Sequence, residues 1–212
     1  TDAVQTFGKM RLRVDQLGVD FLSFSGHKVY APKGVGGWYM RPNAPLYPLL
    51  HGGHQERGRR SGTENVAAIV ALGKACDIAQ QDMTEEWARQ YHLQQNFEQG
   101  LRERISDLRI QGEGVTRLPN TTNVAFASAE AEALLMSLDL QGVAISTGSA
   151  CSSGSLEPSH VLRAMVLPDA YLHGALRFSL GRSTTAEDID YVLQVMPGIV
   201  GSTRTLSPTY TR

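Results

Sequence analysis

A chain of 212 residues with a formal net charge of −1 and 42% hydrophobic content makes one large domain or two small ones. It carries no basic stripe with interleaved aromatics, which argues against nucleic-acid binding, and no apolar run long enough to span a bilayer. Two cysteines in dissimilar settings, Cys76 and Cys151, do not make a disulfide framework, so a cytoplasmic location is expected. The chain starts at Thr1 without a methionine, which reads as a fragment or a trimmed chain.

The first predicted element is a strand over residues 21–25, Phe-Leu-Ser-Phe-Ser, followed at once by Gly26, His27 and Lys28. A turn-rich loop over 30–37 leads to a second strand over 38–40, and 51–58 reads as another loop. Helical spacing runs from Asn65 past Ala79, with Val66, Ile69, Val70 and Leu72 on its apolar face and Thr63 or Ser61 as its cap. A separate helix is expected over 85–105, with Trp87, Tyr91, Leu93, Phe97 and Leu101 inward. The junction between these helices is the expected boundary of two domains, 1–83 and 84–212. Beyond it come strands over 108–110, 123–126, 143–146 and 175–180, and a helix over 131–140. A final helix starts at Thr185, with Glu187 and Asp188 in its first turn, where negative charge suits the helix dipole.

Four features carry chemistry. Lys28 stands at a strand's C-terminal end, the place where α/β proteins collect reactive groups. There it reads as a nucleophile, a phosphate partner or a solvated surface residue. Cys151 sits in Ser146-Thr-Gly-Ser-Ala-Cys-Ser-Ser-Gly-Ser155, a run with almost nothing to bury, and this reads as a reactive thiol on a mobile loop. Cys76 reads as a packed helix thiol. Arg177 lies in the apolar strand Ala175-Leu-Arg-Phe-Ser-Leu180, as a structural ion pair or as a bidentate clamp for a carboxylate. His51 and His54 lack a third ligand and a helical register, which argues against a metal site. A pyridoxal-phosphate enzyme needs a lysine as covalent anchor, a carboxylate on the pyridine nitrogen, donors for the phosphate and ring oxygen, and an arginine for the substrate carboxylate. Lys28, Asp2, Ser25, His27, Gln5 and Arg177 supply that set.

The chain resembles the cysteine desulfurases of the NifS/IscS kind, over essentially its whole length. The resemblance rests on Asp2-Ala-Val-Gln5, Ser23-Phe-Ser-Gly-His-Lys28, His51-Gly-Gly-His-Gln-Glu-Arg57, Arg60-Ser-Gly-Thr63, Ser149-Ala-Cys-Ser-Ser-Gly-Ser155-Leu-Glu-Pro158 and Arg177-Phe-Ser-Leu-Gly-Arg182. It implies an α/β chain that is the C-terminal portion of a fold-type I pyridoxal-phosphate transferase. Part of the large-domain sheet would be joined to a smaller α+β domain that carries the cysteine loop. It implies that Lys28 anchors pyridoxal 5'-phosphate, that Ser25 and His27 hold its phosphate, and that Asp2 and Gln5 hold its ring nitrogen and ring oxygen. Thr63 would reach the cofactor phosphate of a neighbouring subunit in a homodimer, and Arg177 would bind the carboxylate of L-cysteine. Cys151 would take the substrate sulfur as a persulfide, leaving L-alanine, and pass it to an iron–sulfur scaffold protein or another sulfur acceptor. A selenocysteine lyase, a related aminotransferase and a non-catalytic sulfur-relay or scaffold-binding module are the competing readings, and this segment by itself is expected to be inactive.

Overall fold

The computed structural model describes residues 1–147 and 158–206. The chain divides into two compact units, Thr1–Trp87 and Ala88–Arg212.

The first unit is organised by two antiparallel strands, β1 (Phe21–Ser25) and β2 (Gly36–Met40), in register from Phe21↔Met40 to Ser25↔Gly36. A short helix, α1 (Val14–Leu17), ends at Gly18, whose φ of 63° closes the turn before β1. On the free side of β1, residues 1–3 run parallel to it. Ala3 N donates to Ser23 O at 2.8 Å and Ser23 N donates to Thr1 O at 3.0 Å. Period-two alternation then puts Leu22 inside and Ser23 outside. The ring of Phe24 stacks on Phe7 with centroids 4.0 Å apart, which fixes the turn of residues 4–10 against β1. The expected loop at 51–58 contains one irregular turn, α2 (Gln55–Gly58), with Glu56 and Arg57 in the left-handed region.

The largest departure from expectation is α3 (Val66–Arg104), a single helix of 39 residues where two were predicted. Residues 80–85, Gln-Gln-Asp-Met-Thr-Glu, contain neither glycine nor proline, so nothing stops a helix from propagating through them. Its start is capped by neither Thr63 nor Ser61 but by Asn65, whose Oδ1 accepts from Ala68 N at 3.2 Å. Val66, Ile69, Val70 and Tyr91, expected to face inward, are exposed.

The second unit is built on a three-stranded antiparallel sheet in the order β3 (Leu108–Ile110), β4 (Thr121–Phe126), β5 (Ala175–Ser179). Its helices are the C-terminal part of α3, α4 (Ala131–Asp139), the short α5 (His160–Ala164) and α6 (Asp169–Leu172), and α7 (Ala186–Leu206). One sheet face, with Val124, Phe126, Leu176 and Phe178, packs on Leu93, Phe97 and Leu101, which recur every four residues along α3, and on Ile105 just past its end. Leu134 and Leu138 of α4 and Leu193 and Met196 of α7 complete this core. Each such side chain withdrawn from water contributes about 1.5–3 kcal/mol. Helix α7 opens on a reciprocal cap, with Asp188 N donating to Thr185 Oγ1 at 3.2 Å and Thr185 N donating to Asp188 Oδ2 at 2.9 Å. The Glu187 carboxyl in the same turn is held below its usual range by its own backbone N–H and by Thr185.

The strand expected over 143–146 does not form. Val143 N donates back to Leu138 O at 2.9 Å, and Gly142 N to Asp139 O at 2.8 Å, so this stretch closes onto the end of α4. Pairing begins only at Ser146, whose backbone exchanges hydrogen bonds with Arg177 at 3.2 and 2.7 Å.

Candidate functional site

In the first unit, the C-terminal end of β1 passes directly into a 3-10 turn, Gly26–Val29. The turn is pinned at both ends. Gly26 N donates to Val35 O at 2.9 Å and Ala31 N donates to Gly26 O at 3.0 Å, while Tyr30 takes a left-handed φ of 65° to let the chain leave. Gly26 is required here, because a Cβ would lie 2.8 Å from Val35 O. The turn buries Gly26 and Val29 and leaves His27 and Lys28 exposed. Ser25 Oγ and His27 Nδ1 are 2.7 Å apart, a hydrogen bond that locks the imidazole beside the strand end.

Asp2 bridges Ser23 in the parallel pairing, and alternation puts Ser23 and Ser25 on one face of β1. Asp2 Oδ1 accepts from Val4 N at 2.7 Å, which orients the carboxylate at the head of the following turn. Gln5 comes next on that turn, exposed, with its carbonyl accepting from Lys9 Nζ at 2.9 Å. Ser25, His27 and Lys28 therefore share one strand end, and Asp2 pairs with the same strand at Ser23. Thr63 lies on a loop closed by Arg60, whose Nη1 donates to Gly62 O at 2.9 Å and Thr63 O at 3.3 Å.

Sequence reading missed Lys9. Burial and then the charge of Lys28 push its ammonium below the ordinary lysine value. A lysine one residue past a glycine carries no pattern signal. Its place depends on Gly8, whose missing Cβ makes room for Val29.

In the second unit, Arg177 sits mid-strand in β5, opposite Asn123 of β4. Alternation turns both away from the main core, onto the face where Ala125 and Ala175 meet Leu162 and Leu167. Arg177 Nε is buried without a hydrogen-bond partner, as is Asn123 Oδ1. Buried donors are normally satisfied, so this nitrogen is available to an acceptor that the described residues do not supply. Cys151 lies outside the described residues. Cys76, expected to be packed, is half-buried on α3, and burial followed by the Asp77 charge pushes its thiol above the ordinary value. Among the described residues, no group of three or more His, Cys, Asp or Glu side chains is placed to hold a metal ion, and no helix is long and apolar enough to cross a membrane.

The strand-end set offers an amine, a carboxylate, a hydroxyl–imidazole pair and an amide. This donor chemistry fits an anionic aromatic aldehyde such as pyridoxal phosphate: an amine can condense with an aldehyde, a carboxylate can hold a protonated ring nitrogen, and a hydroxyl and an imidazole can bind phosphate. Comparison with known proteins agrees. Residues 1–192 match the aminotransferase class-V family. The chain is 52% identical over 98% of its length to a cysteine desulfurase of Gluconacetobacter diazotrophicus, covering 52% of that protein. A solved NifS-like protein from Rickettsia africae superposes with a TM-score of 0.85 at 32% identity, over 94% of this chain and 52% of the other. A structure of SspA in complex with cysteine matches with a TM-score of 0.61 at 36% identity, over 84% of this chain and 49% of the other. The chain spans about half the length of the curated relatives it matches. Cysteine desulfurases of this kind are pyridoxal-phosphate enzymes, and on this evidence the chain belongs to the class-V aminotransferase family, with a mixed α/β architecture of fold type I.

Proposed function

We infer that the full-length protein carrying this chain is a cysteine desulfurase that converts L-cysteine to L-alanine and passes the sulfur onward. The observation that supports this reading is Lys28, exposed on a pinned turn that follows Ser25 and holds His27, at the end of the strand whose Ser23 pairs with Asp2. Pyridoxal phosphate, when bound, supplies an electrophilic carbon for the substrate amine and a ring that takes up electrons released at the α-carbon.

The chain's own residues do the rest. Lys28 would anchor the cofactor through its amine, and the same amine would serve as the base for the proton on the substrate α-carbon. Asp2 keeps a proton on the ring nitrogen, Gln5 bonds the ring oxygen, and Ser25 and His27 bind the phosphate. Arg177 binds the substrate carboxylate and so sets the orientation of the Cα–H bond. The Cys151 thiolate attacks the substrate sulfur. A sulfur–sulfur bond forms as the carbon–sulfur bond breaks, and protonation of the remaining three-carbon unit yields alanine. The persulfide sulfur then goes to an acceptor such as an iron–sulfur scaffold protein. In this reading the protein is a homodimer, in which Thr63 reaches the cofactor phosphate of the partner subunit.

The test is made on the full-length protein. Lys28→Ala should lose the borohydride-reducible cofactor adduct, together with alanine release. Cys151→Ser should keep the adduct and lose both protein-bound persulfide and nearly all alanine. A reducible adduct persisting in Lys28→Ala would overturn the assignment of the anchor, and persulfide accumulating in Cys151→Ser would overturn that of the thiol.

A further inference from the structure

The turn that follows residues 1–3 is tighter than an α-helix at its far end. Phe7 N donates to Ala3 O at 2.8 Å, four residues back, but Lys9 N donates to Thr6 O at 3.1 Å, only three back. A regular α-turn would give Lys9 N to the carbonyl of Gln5, which is here left without a backbone donor. The Lys9 side chain fills the gap. Its Nζ donates to Gln5 O at 2.9 Å, the one hydrogen bond this carbonyl makes among the described residues.

This turn packs on the one that carries Lys28. Gly8 takes a left-handed φ of 73°, and a Cβ on it would collide with the side chain of Val29, the buried residue next to Lys28. Phe7, on one side of Gly8, stacks on Phe24 of β1. Lys9, on the other side, is half-buried. The charged groups around this junction are Asp2 at the head of the turn, His27 and Lys28 on the lysine turn, and Asp82 one turn beyond Ala79 on α3. Among the described residues none of them forms an ion pair with Lys9, and after burial it is the charge of Lys28 that acts on it. An ammonium placed there loses hydration and meets a like charge. What it gains is the Gln5 carbonyl, and a hydrogen bond from a charged donor is among the strong ones.

We propose that Lys9 is a positioning residue for Gln5: its ammonium replaces the absent backbone donor, fixes the orientation of the Gln5–Thr6 peptide, and so sets the direction in which the Gln5 side chain leaves the turn for the ring oxygen of the cofactor. This rests on the reading of Gln5 as the ring-oxygen ligand. Lys9 itself touches neither cofactor nor substrate.

The test is read from the visible absorption of pyridoxal phosphate in the full-length holoenzyme, titrated with pH. A donor on the ring oxygen favours its anionic form, so losing that donor raises the pH at which the bound cofactor gives up its proton. Gln5→Ala should raise the midpoint of the colour change by up to about one pH unit, the scale of a single hydrogen bond. Lys9→Met should raise it by a smaller amount, and Lys9→Arg, which keeps a cationic donor, should return it to the native value. Lys9→Gln should repeat the rise and serves if Lys9→Met fails to fold. A lost charge acting through space on Lys28 would raise the midpoint as well, and a double variant separates the two causes. Positioning works only through Gln5, so Lys9→Met added to Gln5→Ala should move the midpoint no further. An unmoved midpoint in Gln5→Ala would overturn the ring-oxygen reading itself. A shift in Gln5→Ala, with Lys9→Met and Lys9→Gln both at the native midpoint, would overturn the role of Lys9 and leave that reading standing. The full Lys9→Met shift reappearing on top of Gln5→Ala would assign the effect to charge alone and overturn the positioning role, as would a Lys9→Arg variant no closer to native than Lys9→Met.

Discussion

Arg117 grips Glu98 through both carboxylate oxygens, with Nη1–Oε1 and Nη2–Oε2 each at 2.9 Å. Glu98 is 3% exposed and also accepts from Thr122 Oγ1 at 2.7 Å, while Gln94 one turn earlier donates to Leu118 O and Thr121 O. A polar stripe of α3 thus ties down the 111–122 connection beside the apolar stripe of Leu93, Phe97 and Leu101.

The two partners of that ion pair are not equivalent. The Arg117 side chain keeps 20% of its exposure and Glu98 only 4%. Arg117→Ala leaves a carboxylate stranded in the interior and should cost about 3–5 kcal/mol. Glu98→Ala lets the arginine turn toward water and should cost less, about 1–3 kcal/mol. Urea unfolding of both variants checks the order, and the idea fails if Glu98→Ala proves the more damaging.

Gly174 stands where β4 and β5 come together. A Cβ there would lie 2.1 Å from Phe126 O and 2.9 Å from Ala129 O, both backbone atoms. Gly174→Ala should therefore destabilise by about 1–3 kcal/mol, because the strand pairing has to open. Gly198, inside α7, has open space around it, with nothing within 4 Å of the point a Cβ would occupy. Gly198→Ala should stabilise by about 0.5–1 kcal/mol. Opposite shifts in thermal midpoint are expected from the same substitution at the two sites.

Lys9 sets a pH dependence. Burial first, and then the charge of Lys28, lower its folded-state value below 10.5. Between the folded and unfolded values the unfolded chain holds more protons, so stability rises with pH there. The penalty is present in full below the folded value and gone above the ordinary lysine range. Lys9→Met should flatten the stability–pH curve on the acid side of 10.5. Identical slopes for the two proteins in that window would reject the assignment.

Cys76 should react slowly. Burial and the neighbouring Asp77 both hold the thiol protonated. Iodoacetamide labelling in mildly alkaline buffer should be slower than for a free thiol and faster in Asp77→Asn. Equal rates in native protein and variant would remove Asp77 as a cause.

The elements visible in the sequence were those whose cause is local. β1 follows from Phe21-Leu-Ser-Phe-Ser25, and the start of α7 follows from Thr185 with Asp188 three residues on. What failed depends on distant partners. The two apolar stretches of α3 read as two helices, although nothing in the residues between them stops a single one. Val143 to Ser146 has the composition of a strand, but its backbone is claimed by the end of α4. Asn123 and Arg177 are separated by a long stretch of chain, and only the register of β4 on β5 pairs them.

The pinned turn at Lys28 has a kinetic consequence. Its backbone is held by Gly26–Val35 and Ala31–Gly26 hydrogen bonds and by the buried Val29, yet the lysine side chain itself is exposed. In the role proposed for it, Lys28 lets go of one partner and then collects a proton, and it has to reorient between the two acts. Here the reorientation needs only rotation about side-chain bonds, which takes picoseconds to nanoseconds in an exposed residue, whereas loop rearrangement takes nanoseconds to microseconds. The strand end is therefore a fixed pivot with a free arm, and in the role proposed for Lys28 the side chain reorients with no rearrangement of its backbone.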